Sequence, residues 1–463
     1  MTTVLQRIAA QLSSRKHFSE TAIERAIDAV ADTFGCMVAG AGDPAVTGVT
    51  AAFASEIAGG GTAWLVAGGG APSSIAALVN GTAAHALDFD DNFHPARAHA
   101  SAVLVPALLA TVTAGRPVSG GAFLSAYLAG LEAQAAVGFG VNPSHYNRGW
   151  HGTATVGAIG AAAGAAQLLG ASEEETAQAM SLAASLACGP KGQFGTLAKP
   201  LHAGIAARNA VEAARLAIAG IRGRLDILER PQGFLDLFGG DDPRAWADLR
   251  PEPAHIIERR GLVTKRHPCC ASTHRAIDAL LELKRDYGLT ADDIVSIDTK
   301  VGVSAFRNLA YAEPADEMQA RFSMQYCLAT AFLNGSVSLG DFTRSAVSRQ
   351  DVRMLAKRIT MESYSADEER GNERLPHIVT VRLSDGTTLR RQRLHAKGSV
   401  EDPLSTQERR EKFEDCLKWG NRQPSCDLYA RLRRLNEAAD LWTELGMTNH
   451  SRKAELLAGP EAV

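Results

Sequence analysis

Residues 153–170, TATVGAIGAAAGAAQLLG, form the most apolar stretch of a 463-residue chain, and most of that stretch is alanine and glycine. A membrane span needs about twenty strongly apolar residues, and this shorter run includes Gln167. Small side chains let helix axes approach closely, so the spacing predicts a tightly packed interior helix over 156–169. The same character extends outward. The first 220 residues contain 56 alanines, and apolar residues recur at helical spacing over 23–38, 74–87, 102–114, 122–137, 174–188 and 204–219. Gly59-Gly60-Gly61, Gly68-Gly69-Gly70, Pro117, Pro190 and Gly220 separate these segments. No fixed-period repeat joins them, which excludes a solenoid array.

From Pro268 the pattern changes. Residues 294–303 read as a strand, and 377–383 with 387–394 alternate with period two around Ser384-Asp385-Gly386, the best hairpin in the chain. Helical patterns at 273–287 and 322–332 fall between them, and after Pro403 helix returns at 406–419, 426–435 and 438–445. The expected architecture is mainly α. A helical domain spans 1–267 and is rejoined by 404–463, with a smaller α+β unit at 268–403 inserted between them.

Charge is nearly balanced, with 48 Lys plus Arg against 51 Asp plus Glu and a formal charge of -3. Phosphate backbones call for concentrated positive charge, so nucleic acid is not the expected partner. A hydrophobic content of 46% excludes a disordered chain. The opening MTTVLQRIAAQLSSRKHF carries charges within its apolar residues and reads as an amphipathic helix, not a signal peptide. Seven cysteines in no CxxC array suit a reducing compartment. A cytoplasmic protein with no membrane partner is expected.

Histidines crowd the first half of the chain. HALDFDDNFHPARAHAS, residues 85–101, sets His85, His94 and His99 beside Asp88, Asp90 and Asp91. His85 and Asp88 are one helical turn apart, so a bond between them is feasible. Three readings compete: a metal site of carboxylates and imidazoles, a metal-free site in which an Asp orients a proton-carrying histidine, or a polar helix cap. The spacing matches neither HExxH nor an acidic calcium loop.

A second cluster, NPSHYNRGWHGTATVGAIGAAAGAA at 142–166, brings Tyr146, Arg148 and His151 to the start of the small-residue helix, with Thr153 placed to cap it. Its glycines are in the wrong order for a nucleotide loop. Lys199 with His202 in GTLAKPLHAG, and Lys265 in GLVTKRHPCC, stand at segment boundaries; gathered together, the lysines make a clamp for carboxylates, with Arg266 and Arg321 as weaker members. No GxSxG is present, and a Cys269 or Cys270 nucleophile is the weaker reading.

Several long motifs in order resemble the MmgE/PrpD family, which includes 2-methylcitrate dehydratase, cis-aconitate decarboxylase and iminodisuccinate epimerase. They are HALDFDDNFHPARAHASAVLVPALLA, GWHGTATVGAIGAAAGAAQLLG, AKPLHAGIAARNAVEAARLA, KRHPCCASTHRAIDAL and RFSMQYCLATAFLNGSV. The resemblance covers nearly the whole chain. It implies a helical domain from both chain ends, an α+β lid, a pocket between them and a homodimer. The family's decarboxylase-type residues fall on Asp88, His99, His151, Lys199 and Lys265. Where those relatives carry a histidine after the last lysine, this chain has Cys270, and where they carry a threonine it has Asn92.

The implied enzyme is a lyase that uses neither cofactor nor metal and acts on a small hydroxylated di- or tricarboxylate. Lys199 and Lys265 hold carboxylates, His151 or His99 moves protons, and Asp88 fixes a histidine tautomer. Asn92, Arg148, His202, Arg266 and Cys270 complete the expected substrate contacts. Tyr146 opposite His151 supports an alternative, an epimerase of an amino- or imino-dicarboxylate. A non-catalytic carboxylate-binding relative is the third reading.

Overall fold

A computed structural model describes residues 2–447 apart from positions 16, 114, 242–243, 247–248, 251, 373 and 422–425. The chain is predominantly helical, at 56%. Helices α1 (Val4–Ser14), α2 (Glu20–Gly40), α3 (Ser73–His85), α4 (Ala100–Leu109), α5 (Gly120–Val141), α6 (Val156–Leu168), α7 (Glu173–Leu186) and α8 (Ala198–Ile218) follow the alanine-rich half. Polar caps set several starts. The Ser19 hydroxyl accepts from the Ala22 amide before α2, and Ser172 with Glu175 forms a reciprocal capping box before α7.

Among the described residues, α5 alone is long and apolar enough to cross a membrane, rather than the 153–170 stretch; 83% of its apolar window is buried inside the chain. It packs with α6 as a core helix. Helix α8 starts six residues earlier than the spacing predicts. Pro200 lies in its first turn, where no amide donor is needed, so it opens the helix and places Lys199 inside it.

The contact between α3 and α8 decides the site. A Cβ on Gly204 would lie 2.2 Å from Thr82 Oγ1 and 2.3 Å from the Leu78 carbonyl oxygen, and one on Gly81 would lie 2.9 Å from the Gly204 Cα. Only glycine at both positions permits this approach. It brings the C-terminal end of α3, with His85, against the N-terminal turn of α8, with Lys199.

The later half contains α9 (Ala271–Tyr287), α10 (Met324–Asn334) and a four-stranded sheet of β1 (Ile294–Val301), β2 (Ile359–Ser363), β3 (His377–Leu383) and β4 (Thr388–Arg393) in the order β2-β1-β3-β4. Strands β3 and β4 form the expected hairpin, and β1 pairs antiparallel with β3. Strand β2, which the sequence pattern did not reveal, pairs parallel with β1. A five-residue edge strand gains its definition from that non-local partner, not from its own alternation.

Two hydrophobic clusters result. One runs from Val4 to Ile257 and also takes in Phe413, Cys416 and Leu417 of α11 (Thr406–Trp419), with Leu432 and Leu441 beyond it. The other runs from Cys269 to Val381. The last predicted helix, 438–445, shortens to Leu441–Glu444, because Asp440 accepts from the Thr443 amide and so starts it late.

Candidate active site

Three segments meet at the end of α3. The chain leaves that helix at His85, and Asp88 takes a left-handed φ of 51°, a conformation aspartate tolerates. Two backbone bonds join Asn92 and Val263 at 3.0 and 2.8 Å, which ties the acidic loop to the segment carrying Lys265. Lys412 of α11 donates to the Phe89 carbonyl at 2.8 Å and lies 2.7 Å from Asp32. Helix α11 thereby anchors the same loop.

The feasible His85–Asp88 bond is not made. Asp88 Oδ1 instead accepts from Lys199 Nζ at 2.7 Å and lies 2.9 Å from Lys265 Nζ; the latter also donates to the Asp88 carbonyl at 2.6 Å. Burial pushes the Asp88 carboxyl upward, but the two ammonium groups override it and hold the carboxyl far below its ordinary range. Asp88 Oδ1 also lies 3.7 Å from His99 Nε2, and Asp90 is the carboxylate that reaches His85. The Asp90 carboxylate is hydrogen-bonded to His85 Nδ1 at 2.9 Å and lies 3.1 Å from His99 Nδ1, so one group orients His85 and stands beside a second imidazole. Helix α3 ends too early for residue 88 to face residue 85, and the turn carries Asp90 there instead.

His85, His99 and His151 are packed with ring centroids 4.3 Å apart for the first pair and 5.7 Å for His85 and His151. Burial lowers His85 to about 3, with Lys199 and His99 adding to the shift and Asp90 opposing it. Burial followed by Lys199 also drives His151 well below the ordinary range. The unfolded chain binds protons near pH 6.5 at these rings, whereas the folded site refuses them. Their contribution is therefore complete above pH 6.5 and declines as pH falls toward 3. We expect the urea midpoint to drop steadily between pH 7 and pH 5. A flat midpoint across that interval is the contrary result.

A cavity of about 220 Å³ opens onto this cluster. Asp88, Asn92, His99, Tyr146, His151, Lys199 and Cys270 line it, with Phe194 and Phe322 as apolar walls. The His151 Nε2 atom is buried without a partner, while its Nδ1 lies 3.2 Å from His202 Nδ1. The Tyr146 hydroxyl accepts from Asn308 Nδ2 at 3.0 Å, and burial raises its pKa. Thr153 does not cap α6, which begins at Val156; its hydroxyl accepts from the His99 amide at 2.9 Å.

Other predicted residues lie off the cavity wall. Lys265 is fully buried behind Asp88, and His202 stands behind His151. Arg148 and Arg266 are exposed and do not line this cavity, because each side chain projects from the outer face of its segment. Sequence reasoning missed Arg97, Arg275 and Arg374, all on the cavity wall. They come from a loop, from α9 and from the approach to β3, with no local pattern to unite them.

One donor atom from each of His85, Asp88, Asp90 and His99 can be chosen so that all lie within 4.8 Å of one another, which satisfies a metal set by distance. Electrostatics oppose it. The Asp88 oxygen already faces two ammonium groups, and a divalent ion there would meet both at close range.

Residues 6–247 match the MmgE/PrpD N-terminal domain, and residues 267–425 match the MmgE/PrpD C-terminal domain. The chain is 29% identical to cis-aconitate decarboxylase of Homo sapiens over 81% of this chain and 79% of that protein. It is 31% identical to that of Mus musculus, with coverage of 74% and 71%. Identity to that of Aspergillus terreus (strain NIH 2624 / FGSC A1156) is 25%, with coverage of 72% and 71%.

Proposed function

The chain belongs to the MmgE/PrpD family, and from that premise we propose that it is a lyase acting on a small di- or tricarboxylate. The observation that carries this reading is that His99 and His151 face one cavity beside the buried Lys199 ammonium. Breaking a bond next to a carboxylate leaves an electron pair that must spread into that carboxylate. A fixed positive charge in a site poor in water stabilises such a pair far better than solvent does. A neutral imidazole at the cavity wall supplies the accompanying proton transfer.

Two lyase reactions share this intermediate. In decarboxylation of an unsaturated tricarboxylate, as the names of the relatives suggest, the C–C bond breaks, CO2 leaves, and the carbanion takes a proton that a neutral wall imidazole relays from water. In dehydration, one histidine takes the proton from carbon and the hydroxyl leaves as water with a proton from the other. The cavity position of Tyr146 keeps epimerisation as the second reading, with the phenol delivering a proton to the opposite face.

The α+β unit at 268–403 acts in this proposal as a lid, since Cys270 and Phe322 of the second cluster face Lys199 and His151 across the cavity. A cytoplasmic homodimer belongs to the same proposal. The test is a panel of cis-aconitate, hydroxylated tricarboxylates and amino-dicarboxylates incubated in D2O and followed by NMR. Carbon dioxide loss or a new alkene is the expected result. Deuterium at carbon with nothing eliminated would replace the lyase by an epimerase.

A further inference from the structure

The cavity's net positive charge does not lie where the two lysines are. At the inner end, Lys199 and Lys265 face Asp88, and Asp90 lies between two imidazoles, so charge there is largely cancelled. At the outer end, Arg97, Arg275 and Arg374 line the same cavity. None of the three makes an ion pair with a carboxylate among the described residues. Arg393 and Arg349, by contrast, pair with Glu282 and Asp351 at 2.9 and 2.7 Å.

Arg275 is also fixed in place. Its guanidinium donates to the Leu375 carbonyl at 2.8 Å, to the Leu394 carbonyl at 3.3 Å and to His377 Nε2 at 2.7 Å. His377 is fully buried, and accepting that bond puts its own proton on Nδ1. Burial and then Arg374 lower Arg275 to about 10. Arg97 lies 5.7 Å from the Tyr146 ring centre, and Arg374 lies 3.4 Å from the His395 ring, with Glu401 close enough to feel its charge. The neighbouring Asn92 Nδ2, a donor on the cavity wall, is buried without a partner. Three guanidinium groups with no ion-paired carboxylate among the described residues, beside a spare donor, describe a wall built to receive an anion.

We propose that Arg97, Arg275 and Arg374 form a second anion subsite that holds carboxylates remote from the reacting carbon, so that the enzyme selects tricarboxylates over dicarboxylates. This rests on the lyase reading for the substrate's class but concerns binding, not the bond that breaks. A trianion matches three guanidinium groups that hold no ion-paired carboxylate among the described residues, and the 220 Å³ cavity suits a molecule of that size. Lys199 then acts on the reacting end alone.

The experiment measures calorimetric binding of propane-1,2,3-tricarboxylate, glutarate and inorganic phosphate to the full-length wild type and to Arg97→Gln and Arg374→Gln. Both residues are exposed, so the variants should fold; Arg275→Lys tests the half-buried member, with thermal melting as the control for all three. The wild type should prefer the tricarboxylate to glutarate by at least about tenfold. Each Gln variant should lose about tenfold for the tricarboxylate and less for glutarate. Unchanged preference in both Gln variants overturns the subsite. Tighter binding of phosphate than of the tricarboxylate overturns the carboxylate assignment. Arginine-dependent preference in a protein that turns over no polycarboxylate supports the subsite and removes the lyase reading instead.

Discussion

Replacing Asp88 with asparagine is expected to lower unfolding free energy by about 3–5 kcal/mol and to abolish turnover, because it strands two buried ammonium groups. Lys199 is 2% exposed and Lys265 fully buried, and both lie within 3 Å of the same Asp88 oxygen. Asparagine preserves the side-chain shape and tolerates the left-handed φ of 51°, so the loss reports charge and not backbone strain. The partner experiment adds Lys265→Met, which removes one of the stranded charges. That double variant should regain part of the stability and none of the activity, a split visible only if the pair is coupled. Urea unfolding and steady-state turnover measured on the same preparations decide the matter. Asp88→Asn with wild-type stability would show that the lysines find their compensation elsewhere.

The different fates of the two aspartates show how far sequence carries the argument. Helical spacing places His85 and the small-residue helix within a residue or a turn of their observed positions, because amphipathic periodicity is local, but it misses by six residues the start of the helix that carries Lys199. The feasible bond between Asp88 and His85 is absent for an equally physical reason, while Asp88 Oδ1 lies 3.7 Å from His99 Nε2. That bond assumed a helix continuing past His85, whereas α3 stops there and the following turn delivers Asp90 to the imidazole. Lys265 shows the opposite case. Its flanking motif marks it as unusual, but nothing nearby in sequence reveals that its partner is the carboxylate 177 residues earlier. Arg275 and Arg374 are least legible of all. Their significance lies in the absence of an ion-paired carboxylate among the described residues, and such an absence has no sequence pattern. Strand β2 was lost similarly, since its identity comes from pairing with β1.

His151→Ala should reduce kcat by about 10²–10⁴-fold while leaving the binding of an unreactive tricarboxylate within a few-fold of wild type. The geometry sets this division. Nδ1 of His151 is engaged with His202 at 3.2 Å, and the other ring nitrogen is buried, unpartnered and on the cavity wall. If His151 donates through Nδ1, the free Nε2 presents a lone pair to the substrate, which makes it a base. Burial and Lys199 keep the ring neutral at pH 7, in agreement with that role. His202→Ala removes the orienting partner without removing the base. It should therefore cost less in kcat than His151→Ala, and it should shift the acid limb of the pH profile. A purely structural His151 would lower stability and tricarboxylate affinity together with kcat, and the His202 variant would leave the profile in place. Full turnover by His151→Ala on the true substrate would assign the proton transfer to His99, the other imidazole on the wall.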